Sequence, residues 1–161
     1  MKKKYVYAPA IVLGMHDAIV SLSGLIAGLT LALADKKTII LSAIIASVAA
    51  GLSMGASCYL AEKTDNNPYA IRAGATTSAA YMGTCVFLIL PFFWFTNNYY
   101  ALAFSLLMAV AIIIVCNLCI RHTHRHSFWR HTIEMLIICA VVSIVAFAVG
   151  EVAKNLLNIN I

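Results

Sequence analysis

Charge is scarce in this sequence. Of its 161 residues 11% are charged and 63% hydrophobic, with only six acids, far from the roughly 45–50% apolar and 25% charged make-up of a soluble domain. That excludes a soluble globular protein. Long polar connections are lacking too, so residues 1–161 are expected to form a single transmembrane domain with no soluble domain. No small-residue cleavage pattern follows the basic start "MKKK", so the first apolar run is expected to stay as a span. The five cysteines, Cys58, Cys85, Cys116, Cys119 and Cys139, are odd in number and lie within or at the ends of apolar runs. They read as thiols rather than a disulfide framework. A recognisable arrangement of nucleophile, base and orienting acid is missing, and no enzyme is expected.

What the chain has is length of apolar sequence. A hydrocarbon core of about 30 Å takes roughly 20 helical residues. Five such runs stand out, at residues 14–34, 38–60, 69–95, 99–120 and 132–152, split by "ADKKT", "AEKTDNNPY", "TNN" and "RHTHRHSFWRH". The expected fold class is an all-α integral membrane protein of five transmembrane helices. Placing the N-terminus inside puts eight Lys and Arg residues on the cytoplasmic side, among them Lys63, Arg72 and Arg121, against Lys36, Lys37 and Lys154 outside. Positive flanks stay inside, which predicts N-in and C-out. Topology therefore accounts for the net charge of +5, and no nucleic-acid partner is implied. Trp94, Phe95, Tyr99 and Tyr100 fit an outer aromatic belt, and Phe128 with Trp129 an inner one.

Small residues at four-residue spacing let helices approach closely in lipid. Gly24 and Gly28 in the first run, and Ser47, Gly51 and Gly55 in the second, predict that these two helices pack tightly together or against symmetry copies.

The polar residues within the runs are the functional candidates. A carboxylate at membrane depth costs about 2.5–3.5 kcal/mol on insertion scales, so it marks a pathway or a partner. Asp17, in "GMHDAIVSLSG", is the first such residue. The alternative is an interfacial acid in a first helical turn, favoured by the helix dipole. Met54, Cys58 and Glu62 follow one another at four-residue spacing and share a helix face. With antiparallel spans they fall near the depth of Asp17. Carboxylate oxygen with soft sulfur suits a borderline transition metal better than Mg²⁺ or Ca²⁺. In "CNLCIRHTHRH", Cys119, His122 and His126 fall within about a 60° arc of one helix face. They could bind metal or lipid headgroups. Glu134 and Glu151 read as acids near the ends of the fifth run.

These features together resemble the vacuolar iron transporter family, including its nodulin-like branch. The resemblance rests on "HDAIVSLSGLIAG", on "LSMGASCYLAEK" against a family "SMG-x-GEY" motif, and on "NPYAIRAGATTSAAYMGTCVFLILPF" with Pro68 and Pro91. It implies a five-helix homodimer with its pathway at the subunit interface, moving Fe²⁺ or Mn²⁺ out of the cytosol in exchange for protons. No bound cofactor is implied, and the partners are the bilayer, divalent cations and protons. Asp17 and Met54 match the family's aspartate and methionine. Where the motif has Gly and Glu this chain has Ser57 and Cys58, Ser47 replaces an Asn, and a Glu-rich domain is missing between the second and third runs. These departures favour a softer cation. The expected location is the cytoplasmic membrane of a bacterium, or a vacuolar membrane in a eukaryote. A non-transporting structural or interaction protein of the same fold is the alternative left open.

Overall fold

The computed structural model describes residues 7–32, 35–121 and 128–156. The described residues form five helices: α1 (Tyr7–Ala32), α2 (Lys36–Thr64), α3 (Ala70–Trp94), α4 (Asn98–Arg121) and α5 (Phe128–Leu156). No strand occurs among them.

The helix boundaries follow local chemistry more closely than hydropathy. Helix α1 begins seven residues before the apolar run it contains. Pro9 is admitted there because amides of a first helical turn have no intrahelical acceptor to lose. Asp17 therefore sits about three turns into α1. The helix-dipole account of Asp17 falls with that, since the effect fades within the first turn. Asp35 starts α2 by accepting from the Lys37 and Thr38 amides and from the Thr38 hydroxyl. The end of α2 is a paired-bond turn, with Asn66 N–H donating to Lys63 O at 3.1 Å and Asn67 N–H to Glu62 O at 3.0 Å. Asn66 takes φ 55°, a left-handed conformation that Asn tolerates, and Pro68 prevents the helix from resuming. Lys36 donates from Nζ to the Phe95 carbonyl at 2.9 Å, which ties the start of α2 to the end of α3.

Helices α1 to α4 are each long and apolar enough to cross a membrane. The corresponding apolar stretch of α5 is Leu136–Gly150, about 22 Å of helix at 1.5 Å per residue.

Helices α1 and α3 form the centre, with 50% and 44% of their spans buried against 28% for α2 and α4. Ile19, Leu22 and Ile26 of α1 meet Tyr81, Leu88 and Phe92 of α3 in one apolar core. Contacts at glycines fix the directions of the helices. Gly14 lies against Thr77, while Gly24 lies against Val142 and Gly28 against Ala146. Ser21 reaches Tyr81, so positions rise together and α3 and α5 run parallel to α1. Gly51 faces Tyr81 and Met82, and Gly55 faces Gly74 and Ser78, so α2 runs antiparallel to α3.

This corrects the packing expected from spacing alone. The glycines of α1 receive α5 and those of α2 receive α3, rather than each other. A small-residue stripe needs a complementary small surface, and Gly74, Ser78, Ala146 and Gly150 provide it on α3 and α5. Adjacency in sequence does not.

Candidate functional site

The site is built around the turn of α1 that carries Asp17. The preceding turn has no side chain at Gly14, and a Cβ there would overlap the Thr77 carbonyl oxygen of α3. Backbone-to-backbone approach at this point brings α1 and α3 together just below Asp17. The Asp17 side chain is exposed, on the stripe Leu13, Asp17, Ser21 that the single chain leaves uncovered.

From that turn a polar chain enters the bundle. Ser21 Oγ lies 2.6 Å from the Asp17 carbonyl oxygen and 2.7 Å from the Tyr81 hydroxyl. Tyr81 and Cys85 are one turn apart on the buried face of α3, and Tyr81 and Ser47 neighbour the Cys85 thiol. Ser47 donates in turn to the Ala43 carbonyl at 2.6 Å. Hydroxyl and thiol groups of three helices thus meet inside the core. Each of these groups has a partner, as burial away from water requires.

Helix α3 also serves as a ruler for depth. Gly14 and Ser21 of α1 flank its Thr77–Tyr81 turn, and Gly51 and Gly55 of α2 bracket the same turn from the other side. Asp17 and Met54 lie between those markers, at a similar height in the bundle. Their surroundings differ. Met54 is half-buried and packs on the apolar core, while Asp17 is exposed. Cys58 is half-buried and its sulfur lies 3.2 Å from Thr77 Oγ1. Glu62, one turn on, accepts from the Asn67 side chain in the α2–α3 connection, and Asn67 also receives the Tyr69 amide at 3.0 Å. Cys58 and Glu62 thus bond to α3 and to the connecting loop.

Among the described residues no three His, Cys, Asp or Glu side chains gather to hold a metal ion. Cys119 lies in the last turns of α4, but its side chain, with His122 and His126, lies outside the described residues. Cys58, Cys85, Cys116 and Cys139 are not joined in disulfides.

The polar chain is what sequence reasoning missed. Ser47 reads there as a small packing residue in the place of a family Asn and Cys85 as one thiol of five, and Tyr81 is not singled out. The available signal was Thr77, Tyr81 and Cys85 at four-residue spacing, which puts three polar groups on one helix face.

Residues 8–70 match the model of the VIT family. The match takes in Asp17, Met54, Cys58 and Glu62 and ends before Tyr81. No curated protein matches the chain.

Proposed function

We propose, on the membership of the vacuolar iron transporter family that the match over residues 8–70 supports, that this protein moves divalent transition-metal ions through a membrane by way of Asp17. That family is one of membrane metal-ion transporters, and the helices of this chain suit an integral membrane protein. The finer reading is export of Fe²⁺, Mn²⁺ or a softer relative from the cytosol.

One observation carries it: a carboxylate stands exposed on a membrane-spanning helix, three turns from the helix end. Left against lipid, such a group is disfavoured by about 2.5–3.5 kcal/mol. A second copy of the chain across a two-fold axis would cover the Leu13, Asp17, Ser21 stripe and set two carboxylates in one water-accessible path. The donors that do not gather within one chain would be assembled between two. Met54 and Cys58 would add soft sulfur to that path, which favours borderline cations over Mg²⁺. A carboxylate oxygen pair holds either a proton or a cation, so Asp17 would couple the two flows in opposite directions. Cys119, His122 and His126 would form an intake-side capture site, a proposal that rests on their sequence pattern alone.

Purified protein in vesicles containing a metal-quenched dye tests this with Fe²⁺, Mn²⁺, Co²⁺ and Zn²⁺. Asp17→Ala should abolish uptake of the transported ions, and the uptake left in Asp17→Asn should no longer respond to an imposed pH gradient. Unchanged uptake by both variants would take Asp17 out of the path, and no uptake of any of these ions by the wild type would leave the non-transporting reading in its place.

A further inference from the structure

The Asp17 turn is held from outside its own helix. Ser21 Oγ lies within hydrogen-bond distance of both the Asp17 carbonyl oxygen, at 2.6 Å, and the Tyr81 hydroxyl, at 2.7 Å. A carbonyl oxygen has no proton to give and a serine hydroxyl has one. Ser21 therefore donates to Asp17, and the phenol must donate to Ser21. The chain has one direction, from Tyr81 through Ser21 to the main chain of Asp17.

The phenol is fixed by the core around it. Tyr81 is 2% exposed, and its ring lies so close to Gly51 of α2 that an added Cβ would come within 3.2 Å of Cδ1. On its own helix Cys85 neighbours both the phenol and Ser47 of α2. An interior at crystal-like density leaves such a ring no room to swing. Asp17 and Ser21, by contrast, are exposed and have no such packing. The enclosed end of the chain is the phenol, and the open end is the exposed Asp17 face of a turn whose other side, Ala18 and Ile19, is buried.

We propose that Tyr81 is a positioning residue for Asp17: anchored between α2 and α3, its hydroxyl holds the Asp17 turn of α1 through Ser21 and so sets the cation affinity of the path. This rests on the role given to Asp17 above. Hydrogen bonds behind a metal ligand are worth 10–100-fold in affinity. Tyr81 acts one residue further back and through the main chain, so its removal should cost less than that range, roughly five- to tenfold.

The test compares wild type with Tyr81→Phe, Ser21→Ala, Ser21→Thr and the double variant Tyr81→Phe/Ser21→Ala, using Mn²⁺ as the probe in both transport and binding. Phe keeps the buried ring and so keeps the fold. Tyr81→Phe and Ser21→Ala should each raise the half-saturating Mn²⁺ concentration about five- to tenfold, leaving the maximal rate within about twofold. Ser21→Thr, which retains the hydroxyl, should behave as wild type. The double variant should be no worse than either single change, because both break the same chain. A purely structural Tyr81 would lower the melting temperature and the maximal rate without moving half-saturation. That result, or additive losses in the double variant, overturns the proposal. Asp17→Ala in the same series separates the two claims. Normal Mn²⁺ binding by Asp17→Ala removes the role of Asp17 and this proposal with it, whereas an inactive Asp17→Ala beside an unshifted Tyr81→Phe overturns the Tyr81 proposal alone.

Discussion

A hydroxyl and two amides decide the behaviour of Asp35. The Thr38 hydroxyl, 2.6 Å away, and the amides of Lys37 and Thr38 all donate to its carboxylate, and these bonds hold its pKa below the usual carboxylate value. The unfolded chain binds that proton more readily, so the cap stabilises the fold fully above the ordinary Asp pKa of about 3.9 and is lost as pH falls through the lower folded value. Asp35→Ala should therefore lower the melting temperature of the solubilised protein at pH 7, with the gap between the two curves narrowing as pH falls below the ordinary Asp value. Asp35→Asn keeps an acceptor and should show no such dependence on pH in this range. A gap between wild type and Asp35→Ala that stays constant down to pH 3 would refute the account. At this scale the sequence is uneven in what it discloses. Asp17 is legible because one charge in an apolar run is conspicuous. Tyr81 and Cys85 are not, because both are common in apolar helices and only three-dimensional contact reveals the hydroxyl and thiol partners.

Helix pairing depends on a few backbone contacts. At Gly14 any side chain meets the Thr77 carbonyl, which is backbone and cannot rotate aside, and Gly55 and Gly74 meet each other in the same way. Gly83 has nothing within 4 Å of an added Cβ. Gly14→Ala should push α1 from α3 and cost several degrees of melting temperature, as overpacking of about 1–3 kcal/mol does. Gly83→Ala should be neutral or stabilise by up to about 1 kcal/mol, since alanine is the better helix former. Equal effects of the two changes in a thermal-shift measurement would contradict the contact. Five apolar runs are enough to foresee five helices, because length and hydropathy settle them. The early start of α1 and the choice of packing partners escape that logic. The first depends on what proline can do in an initial turn, and the second on whether two surfaces are both small at the same height.

On the scale of the molecule, the stripe Leu13, Asp17, Ser21 faces away from the bundle. If a second copy covers it, cysteines placed there should meet across the two-fold axis. A Leu13→Cys chain, with the endogenous thiols replaced by Ala, should run as a disulfide-linked dimer after mild oxidation in membranes. Cysteine at Val149, 62% exposed on α5, should stay monomeric. The reverse pattern would put the interface on the other side of the bundle.

Because α1 lies between parallel partners that come later in the chain, time enters its assembly. The ribosome finishes α1 first and α5 last, so the surface that carries Gly24, Gly28 and the buried hydroxyl of Ser23 waits in lipid until Cys139, Val142 and Ala146 reach it. Until then the oldest helix is the least finished. Quality control that recognises uncovered small-residue faces in the bilayer would thus read the arrival of α5 as the completion signal for α1.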